Sequence, residues 1–201
     1  MDDIRRYGGP GIPDELFSRG KVPMTREEIR VITLAKARLG PGMVVWDVGS
    51  GTGSITVEAA RMSPGGAVYA VERSPGGIRL TSENCARFGL DNVVPVAGEA
   101  PGALEQLPRP HRVIVGGSGG LLKAILEEVE RKILPGGRLV INAVTLETFS
   151  AALDFLGDRI PTEVIQVSVS KSEKVGSSRL LKGFNPVFII TAWGWGDVVG
   201  R

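Results

Sequence analysis

The chain has 201 residues, 42% of them hydrophobic and 23% charged, which suits one globular domain with a substantial core and excludes extensive disorder. A formal net charge of +2 gives no reason to expect nucleic acid as a partner. The single cysteine, Cys85, excludes an internal disulfide and a multi-cysteine zinc site, no metal centre is expected, and no apolar run approaches the ~18 residues of a membrane span.

The N-terminus, Met1-Asp2-Asp3-Ile4-Arg5-Arg6, lacks the apolar stretch of a signal peptide, so a cytoplasmic protein is expected. Residues 1–11, with three glycines and a proline, read as a tail. A helix is predicted over 25–39, where Ile29, Ile32, Ala35 and Leu39 recur at helical spacing and Thr25 and Glu28 are spaced as a capping box. Strands follow at 44–48, 67–71, 92–97, 112–115 and 138–143. Helical patterns at 55–62, 78–88, 121–133 and 147–156 separate and follow them. Gly89 and Pro135-Gly136-Gly137 supply the stop signals. Two strand-like runs, 163–170 and 187–193, close the chain without an intervening helix. The polar segment 171–186 between them predicts antiparallel neighbours. Repeated βα units ended by such a pair resemble the mostly parallel, seven-stranded, Rossmann-like α/β sheet of class I S-adenosylmethionine-dependent methyltransferases, with an antiparallel last strand. The whole chain, 1–201, reads as one such domain: an N-terminal extension 1–24, a cofactor-binding core 25–145 and a C-terminal part 146–201.

The segment Asp47-Val48-Gly49-Ser50-Gly51-Thr52-Gly53 joins the first strand to a helix. Glycines there allow positive φ and close approach of a ligand to the backbone, and free N–H groups gather at the helix start. Dinucleotide-binding proteins use a related loop, but their second and third glycines stand three apart, here two. An acid at Asp47 would repel a pyrophosphate, whereas it can serve a cofactor that carries an ammonium and a sulfonium. The loop can take that cofactor's carboxylate. Glu72, at the end of the second strand and about 20 residues past the glycines, is placed to accept ribose hydroxyls. Gly98-Glu99-Ala100, after the third strand, matches the position where this superfamily meets the adenine.

Val115-Gly116-Gly117-Ser118-Gly119-Gly120 lacks the acid or Asn, prolines and aromatic that clamp a flipped base. Gly116, Gly117, Ser118 and Gly119 instead offer a backbone-lined floor for a large flat ligand, or simply a flexible turn. Cys85 falls within a helix and fits a buried apolar role. His111 starts the fourth strand, at the end opposite a ligand crevice, so it is not expected to be a base. Trp193 and Trp195 are expected in core or oligomer contacts. Arg19, Lys21, Arg26 and Arg30, and Lys171, Lys174, Arg179 and Lys182, are solvated surface or anchors for a polycarboxylate. No residue is assigned a catalytic role.

A more specific likeness runs through Gly11-Ile12-Pro13-Asp14-Glu15-Leu16-Phe17, Gly20-Lys21-Val22-Pro23-Met24-Thr25-Arg26-Glu27-Glu28-Ile29-Arg30, residues 46–60, Gly98-Glu99-Ala100-Pro101, residues 115–120, Pro135-Gly136-Gly137 and Asn185-Pro186-Val187. These resemble the cobalt-precorrin-6B C15-methyltransferases (decarboxylating) of cobalamin biosynthesis, which also form the C-terminal half of fused precorrin-6Y C5,15-methyltransferases. The resemblance implies S-adenosyl-L-methionine as cofactor, S-adenosyl-L-homocysteine as product, and a cobalt-precorrin tetrapyrrole as substrate. It implies methylation at C15 with loss of the ring C acetate carboxyl, a homotetramer, and a separate C5-methyltransferase as functional partner. Cofactor binding then falls to Thr25, Asp47, Gly49, Ser50, Gly51, Thr52, Gly53, Glu72, Gly98, Glu99 and Ala100. Glu99 departs from the family's usual Asp. Other class I acceptors, tRNA or protein, are the alternative.

Overall fold

The computed structural model describes residues 9–195; most of the expected N-terminal tail, residues 1–8, lies outside them. Helix α1 (Glu27–Ala37) is followed by β1 (Val44–Val48), α2 (Ser54–Met62), β2 (Ala67–Glu72), α3 (Pro75–Arg87), β3 (Val93–Ala97), β4 (Arg112–Val115), α4 (Leu122–Lys132), β5 (Arg138–Ala143), α5 (Leu146–Leu156), β6 (Thr162–Val167), β7 (Ser170–Val175), β8 (Ser178–Gly183) and β9 (Val187–Trp193). Seven strands form one sheet in the order β3-β2-β1-β4-β5-β9-β6. The first five are parallel, and β9 runs antiparallel to both β5 and β6. This is the expected sheet plan.

Apolar alternation explains why the sheet is covered on both faces. Trp46, Val48, Val113, Val115, Leu139 and Ile141 point to the side of α4 and α5. Val45, Ile114, Val140 and Ile189 meet Ile29 and Leu34 of α1 and Ala59 of α2 on the other. The strand order reverses between β1 and β4, so the carboxyl ends of these two strands diverge into a crevice, the position where open α/β sheets take ligands. Among the described residues no helix is long and apolar enough to cross a membrane.

Two expectations need correction. The segment 171–186 is not merely a polar connection: β7 and β8 pair as a hairpin outside the main sheet, and β6 ends at Val167 rather than at 170. Val175 pairs with Ser178 around Gly176-Ser177, with Gly176 at φ 61°, the conformation a tight hairpin turn needs. The capping box at α1 is also absent. Arg26 takes the N-cap position without a side-chain cap. The Thr25 carbonyl instead accepts Nη1–H of Arg30, and Glu28 pairs with Lys171 of the hairpin at 2.7 Å. The ion pair with Lys171 thus takes the Glu28 carboxylate away from the backbone N–H that a capping box would give it.

Candidate active site

The loop after β1 turns on Gly49, Gly51 and Gly53, at φ 75°, 56° and 75°. A Cβ on Gly49 would stand 2.5 Å from the carbonyl oxygen of Gly117, so the loops after β1 and β4 meet backbone to backbone. A Cβ on Gly53 would stand 2.9 Å from Cα of Thr81, so the third glycine lets α2 start against α3. The two outer glycines therefore answer different steric demands.

Glu72 braces this turn. Gly51 N–H donates to its Oε2 at 3.0 Å and Ser74 N–H to its Oε1 at 2.8 Å. Gly77 leaves room for the side chain, since a Cβ there would lie 2.6 Å from Glu72 Cγ. Each carboxylate oxygen keeps a lone pair for a ligand hydroxyl. Asp47 lies below the loop and is 1% exposed. The Thr56 hydroxyl donates to its Oδ2 at 2.5 Å, and its Oδ1 has no partner. Burial pushes its carboxyl up to about 6, against the Thr56 hydrogen bond and with added repulsion from Glu72.

A cavity of about 1000 Å³ opens at the carboxyl ends of the strands. That is the top of the range for small-molecule sites. Thr25, Gly49, Ser50, Gly51, Glu72, Gly98, Glu99, Ala100, Gly116, Gly117, Ser118 and Gly119 line it, gathered from five separate stretches of chain. Asp47, Thr52 and Gly53 are not in its wall; they stand behind the loop, Thr52 through its carbonyl on the Asn84 amide. Glu99 is half exposed and accepts Nη1–H of Arg73 at 2.8 Å. The glycine cradle and the strand-end Glu72 fit a cofactor with an amino-acid carboxylate and a ribose diol, and the buried Asp47 behind the loop adds negative charge that suits cationic centres.

Several cavity residues escaped the sequence reading. Arg73 follows Glu72 and lies against Gly119, where a Cβ would come within 2.8 Å of its Nη1. Asn142, near the end of β5, was legible only as the polar residue in the run Leu139-Val140-Ile141-Asn142-Ala143. Lys21 and Arg26, expected as surface or as anchors, do reach the cavity, and Arg26 stacks over the Phe184 ring at 3.5 Å. Arg30, grouped with them in sequence, is fully buried and cannot anchor a substrate. It pairs with Glu58 at 2.9 Å and Asp14 at 2.5 Å.

The remaining candidates have structural places. His111 Nδ1 accepts Val44 N–H at 3.0 Å, at the amino ends of β1 and β4, away from the cavity. Cys85 is buried, and desolvation with the Asp47 charge pushes its thiol up to about 12. Trp195 joins the core, and Arg138 lies 4.9 Å from the Trp193 ring. Among the described residues no group of three or more His, Cys, Asp or Glu could hold a metal ion.

Comparison with known proteins places the chain among precorrin methyltransferases. A family model described as a precorrin methyltransferase domain matches residues 15–196. A probable cobalt-precorrin-6B C(15)-methyltransferase (decarboxylating) of Pyrobaculum calidifontis is 44% identical over 195 residues, covering 93% of this chain and 97% of its own. The cobalt-precorrin-6B C(15)-methyltransferase (decarboxylating) of Salmonella typhimurium is 38% identical over 180 residues, covering 88% and 93%. The crystal structure of a precorrin-6y C5,15-methyltransferase from Geobacter metallireducens superposes with a TM-score of 0.86 at 40% identity, over 91% of this chain and 97% of that one. A tRNA (m1A58) methyltransferase from Aquifex aeolicus shares the fold alone, with a TM-score of 0.74 at 15% identity over 90% and 75%.

Proposed function

The chain belongs to the precorrin methyltransferase family, and we propose that it is an S-adenosylmethionine-dependent C-methyltransferase that methylates C15 of a cobalt-precorrin and removes the ring C acetate carboxyl as carbon dioxide, in cobalamin biosynthesis. The observation that carries this reading is a likeness of 38–44% over nearly the full length to chains of that name. The alternative acceptors, tRNA or protein, rest on fold likeness alone and are not favoured.

S-adenosyl-L-methionine would supply an electrophilic methyl group and leave as S-adenosyl-L-homocysteine. Gly49, Ser50 and Gly51 would take its carboxylate end, and Glu72 its ribose hydroxyls. Gly98 and Ala100 would flank the adenine through backbone, with Glu99 turned to Arg73. Asp47, Thr52 and Gly53 contribute from behind: Gly53 by packing, Asp47 by a buried negative charge whose field favours the cofactor's cations. Thr25 would approach from the start of α1. Gly116, Gly117, Ser118 and Gly119 form the floor on which the macrocycle would lie. The electron-rich ring is its own nucleophile, so the protein's task is to hold ring carbon, methyl and sulfur in line. Lys21, Arg26 and Arg73, all at the cavity, suit the substrate's peripheral carboxylates.

The reading also takes in a cytoplasmic setting, a separate C5-methyltransferase acting in the same pathway, and no nucleic-acid or membrane partner. One domain, 1–201, is divided into the extension 1–24, the core 25–145 and the part 146–201. The reading includes a homotetramer; Val175, Leu180 and Leu181, which are 53%, 56% and 78% exposed on a hairpin outside the main sheet, offer apolar surface for contact with another copy.

Calorimetry with S-adenosylhomocysteine and with NAD tests the cofactor. The sulfur ligand should bind and NAD should not; tight NAD binding without a response to the sulfur ligand would sink the proposal. Glu72→Ala should weaken S-adenosylhomocysteine by about 10-fold or more, the scale of lost hydrogen bonds to a charged group. Unchanged affinity would remove the ribose contact from Glu72.

A further inference from the structure

We propose that Arg26, laid flat on the ring of Phe184, is the two-pronged clamp for one of the tetrapyrrole's carboxylates, and that Phe184 is the residue that holds the clamp in position. This inference deepens the substrate reading given above and rests on it.

Three cations reach the cavity wall, and their surroundings differ. Arg73 is taken by Glu99 at 2.8 Å. Lys21 is an exposed ammonium on a flexible stem, a point charge rather than a fork. Arg26 ends in a guanidinium whose carbon lies 3.5 Å from the centroid of the Phe184 ring, with no hydrogen-bond or ion-pair partner among the described residues. Glu28, two residues further along, does not claim it, because its carboxylate pairs with Lys171 at 2.7 Å.

At 3.5 Å the guanidinium carbon is in van der Waals contact with the ring, so the two planes must lie nearly parallel; a steep tilt would drive a nitrogen into the ring. The cation–π contact therefore uses the face of the guanidinium and leaves its in-plane N–H groups at the edge. Such donors match a carboxylate two at a time. Phe184 is itself anchored: its N–H donates to the Val169 carbonyl at 2.9 Å, just past the end of β6. Both residues line the cavity, so the fork is prepared where a ligand can meet it.

The placement suits substrate rather than cofactor. Glu72 ends β2, whereas Phe184 leads into β9, and β1, β4 and β5 stand between those two strands. Strands lie about 4.8 Å apart, so β2 and β9 are separated by on the order of 20 Å. The glycine floor at Gly116 to Gly119 follows β4, between the two. A cofactor with its ribose on Glu72 and its carboxylate on Gly49 to Gly51 occupies the β1–β2 side. A flat ligand on the floor extends from there towards Phe184 and Arg26.

Steady-state kinetics on variants separate the clamp from a surface charge. Arg26→Gln removes the charge, Arg26→Lys keeps the charge without the fork, and Phe184→Leu keeps bulk without the flat ring. Arg26 is exposed, so its substitutions leave the core untouched. KM and kcat are read with S-adenosylmethionine and a cobalt-precorrin-6B preparation, with thermal unfolding and S-adenosylhomocysteine affinity measured alongside. In Arg26→Gln the KM for the precorrin should rise roughly 10- to 100-fold, with kcat moving far less and S-adenosylhomocysteine affinity staying within about threefold. Arg26→Lys should recover only part of that loss. Phe184→Leu should raise KM by about 2- to 5-fold in the unsubstituted chain and add little in Arg26→Gln, because the ring acts through the guanidinium. An unmoved KM in Arg26→Gln, full recovery in Arg26→Lys, losses that simply add in the double variant, or a matching drop in S-adenosylhomocysteine affinity would overturn the assignment. An unsubstituted chain that leaves the precorrin unchanged would instead overturn the functional reading, and this inference with it.

Discussion

Two walls of the cavity are held in place by different physics. The wall built on β1, β2 and β4 is set by excluded volume: Gly49 and Gly117 touch through backbone, and Gly77 makes room for Glu72. The wall built on α1 is set by buried charge. Arg30 and Glu58, neither of them exposed, pair at 2.9 Å, and Glu58 also accepts Gly11 N–H at 2.8 Å and Ile12 N–H at 3.2 Å. Asp14 and the carbonyls of Ile12 and Thr25 complete the Arg30 guanidinium. The first wall fails when an atom is added, the second when a charge is removed.

The largest effect should come from the charged wall. Arg30→Ala leaves Glu58 buried without its partner and should cost about 3–5 kcal/mol in denaturant unfolding. S-adenosylhomocysteine affinity of the folded fraction should survive, because Glu58 and Arg30 lie outside the cavity wall. A loss below about 1 kcal/mol would show that α1 is seated by its apolar face alone.

Gly49→Ala should come next, at roughly 2–3 kcal/mol, from a Cβ against the Gly117 carbonyl and a left-handed backbone. Here the split reverses, with ligand affinity falling together with the unfolding midpoint. Intact affinity would mean that the loop can shift without harm to the site.

Asp47 lies between the two walls in character. Its ordinary value of 3.8 rises to about 6 on burial, so the folded state binds the proton more tightly than the unfolded one. Stability should fall as pH rises from about 4 to about 6 and stay reduced above. Asp47→Asn should recover on the order of 3 kcal/mol at pH 8 and well under 1 kcal/mol near pH 4, read from thermal unfolding at both. Equal effects at the two pH values would contradict the burial argument.

The smallest change should follow Glu99→Gln. Its pair with Arg73 is more than half exposed on both sides, so stability should move by less than about 1 kcal/mol and ligand affinity by less than about threefold. A tenfold loss of affinity would restore Glu99 as a direct adenine ligand.

These differences track what a sequence can display. Strands β1, β4, β5 and β9 were legible to the residue because buried central strands carry near-continuous apolar runs, broken only by single polar residues such as Asp47, Asn142 and Thr191. Gly49, Gly51 and Glu72 were legible because close backbone approach and a strand-end acid follow local rules. Arg30 was misjudged as surface, since its partners Asp14 and Glu58 lie 16 and 28 residues away and only folding brings them together. The hairpin β7–β8 was hidden by its exposed faces, which lack an apolar stripe, although Val175-Gly176-Ser177-Ser178 carried the turn signal. Asn142 escaped because one polar residue in a strand has no meaning until its neighbours across the sheet are known.

The central claim is methyl transfer coupled to decarboxylation on a tetrapyrrole. Incubation of the chain with S-adenosylmethionine and a cobalt-precorrin-6B preparation, followed by mass spectrometry, tests it most directly. The product should be heavier by one methyl group and lighter by one carbon dioxide. An unchanged tetrapyrrole in the presence of a cofactor that calorimetry shows to bind would contradict it.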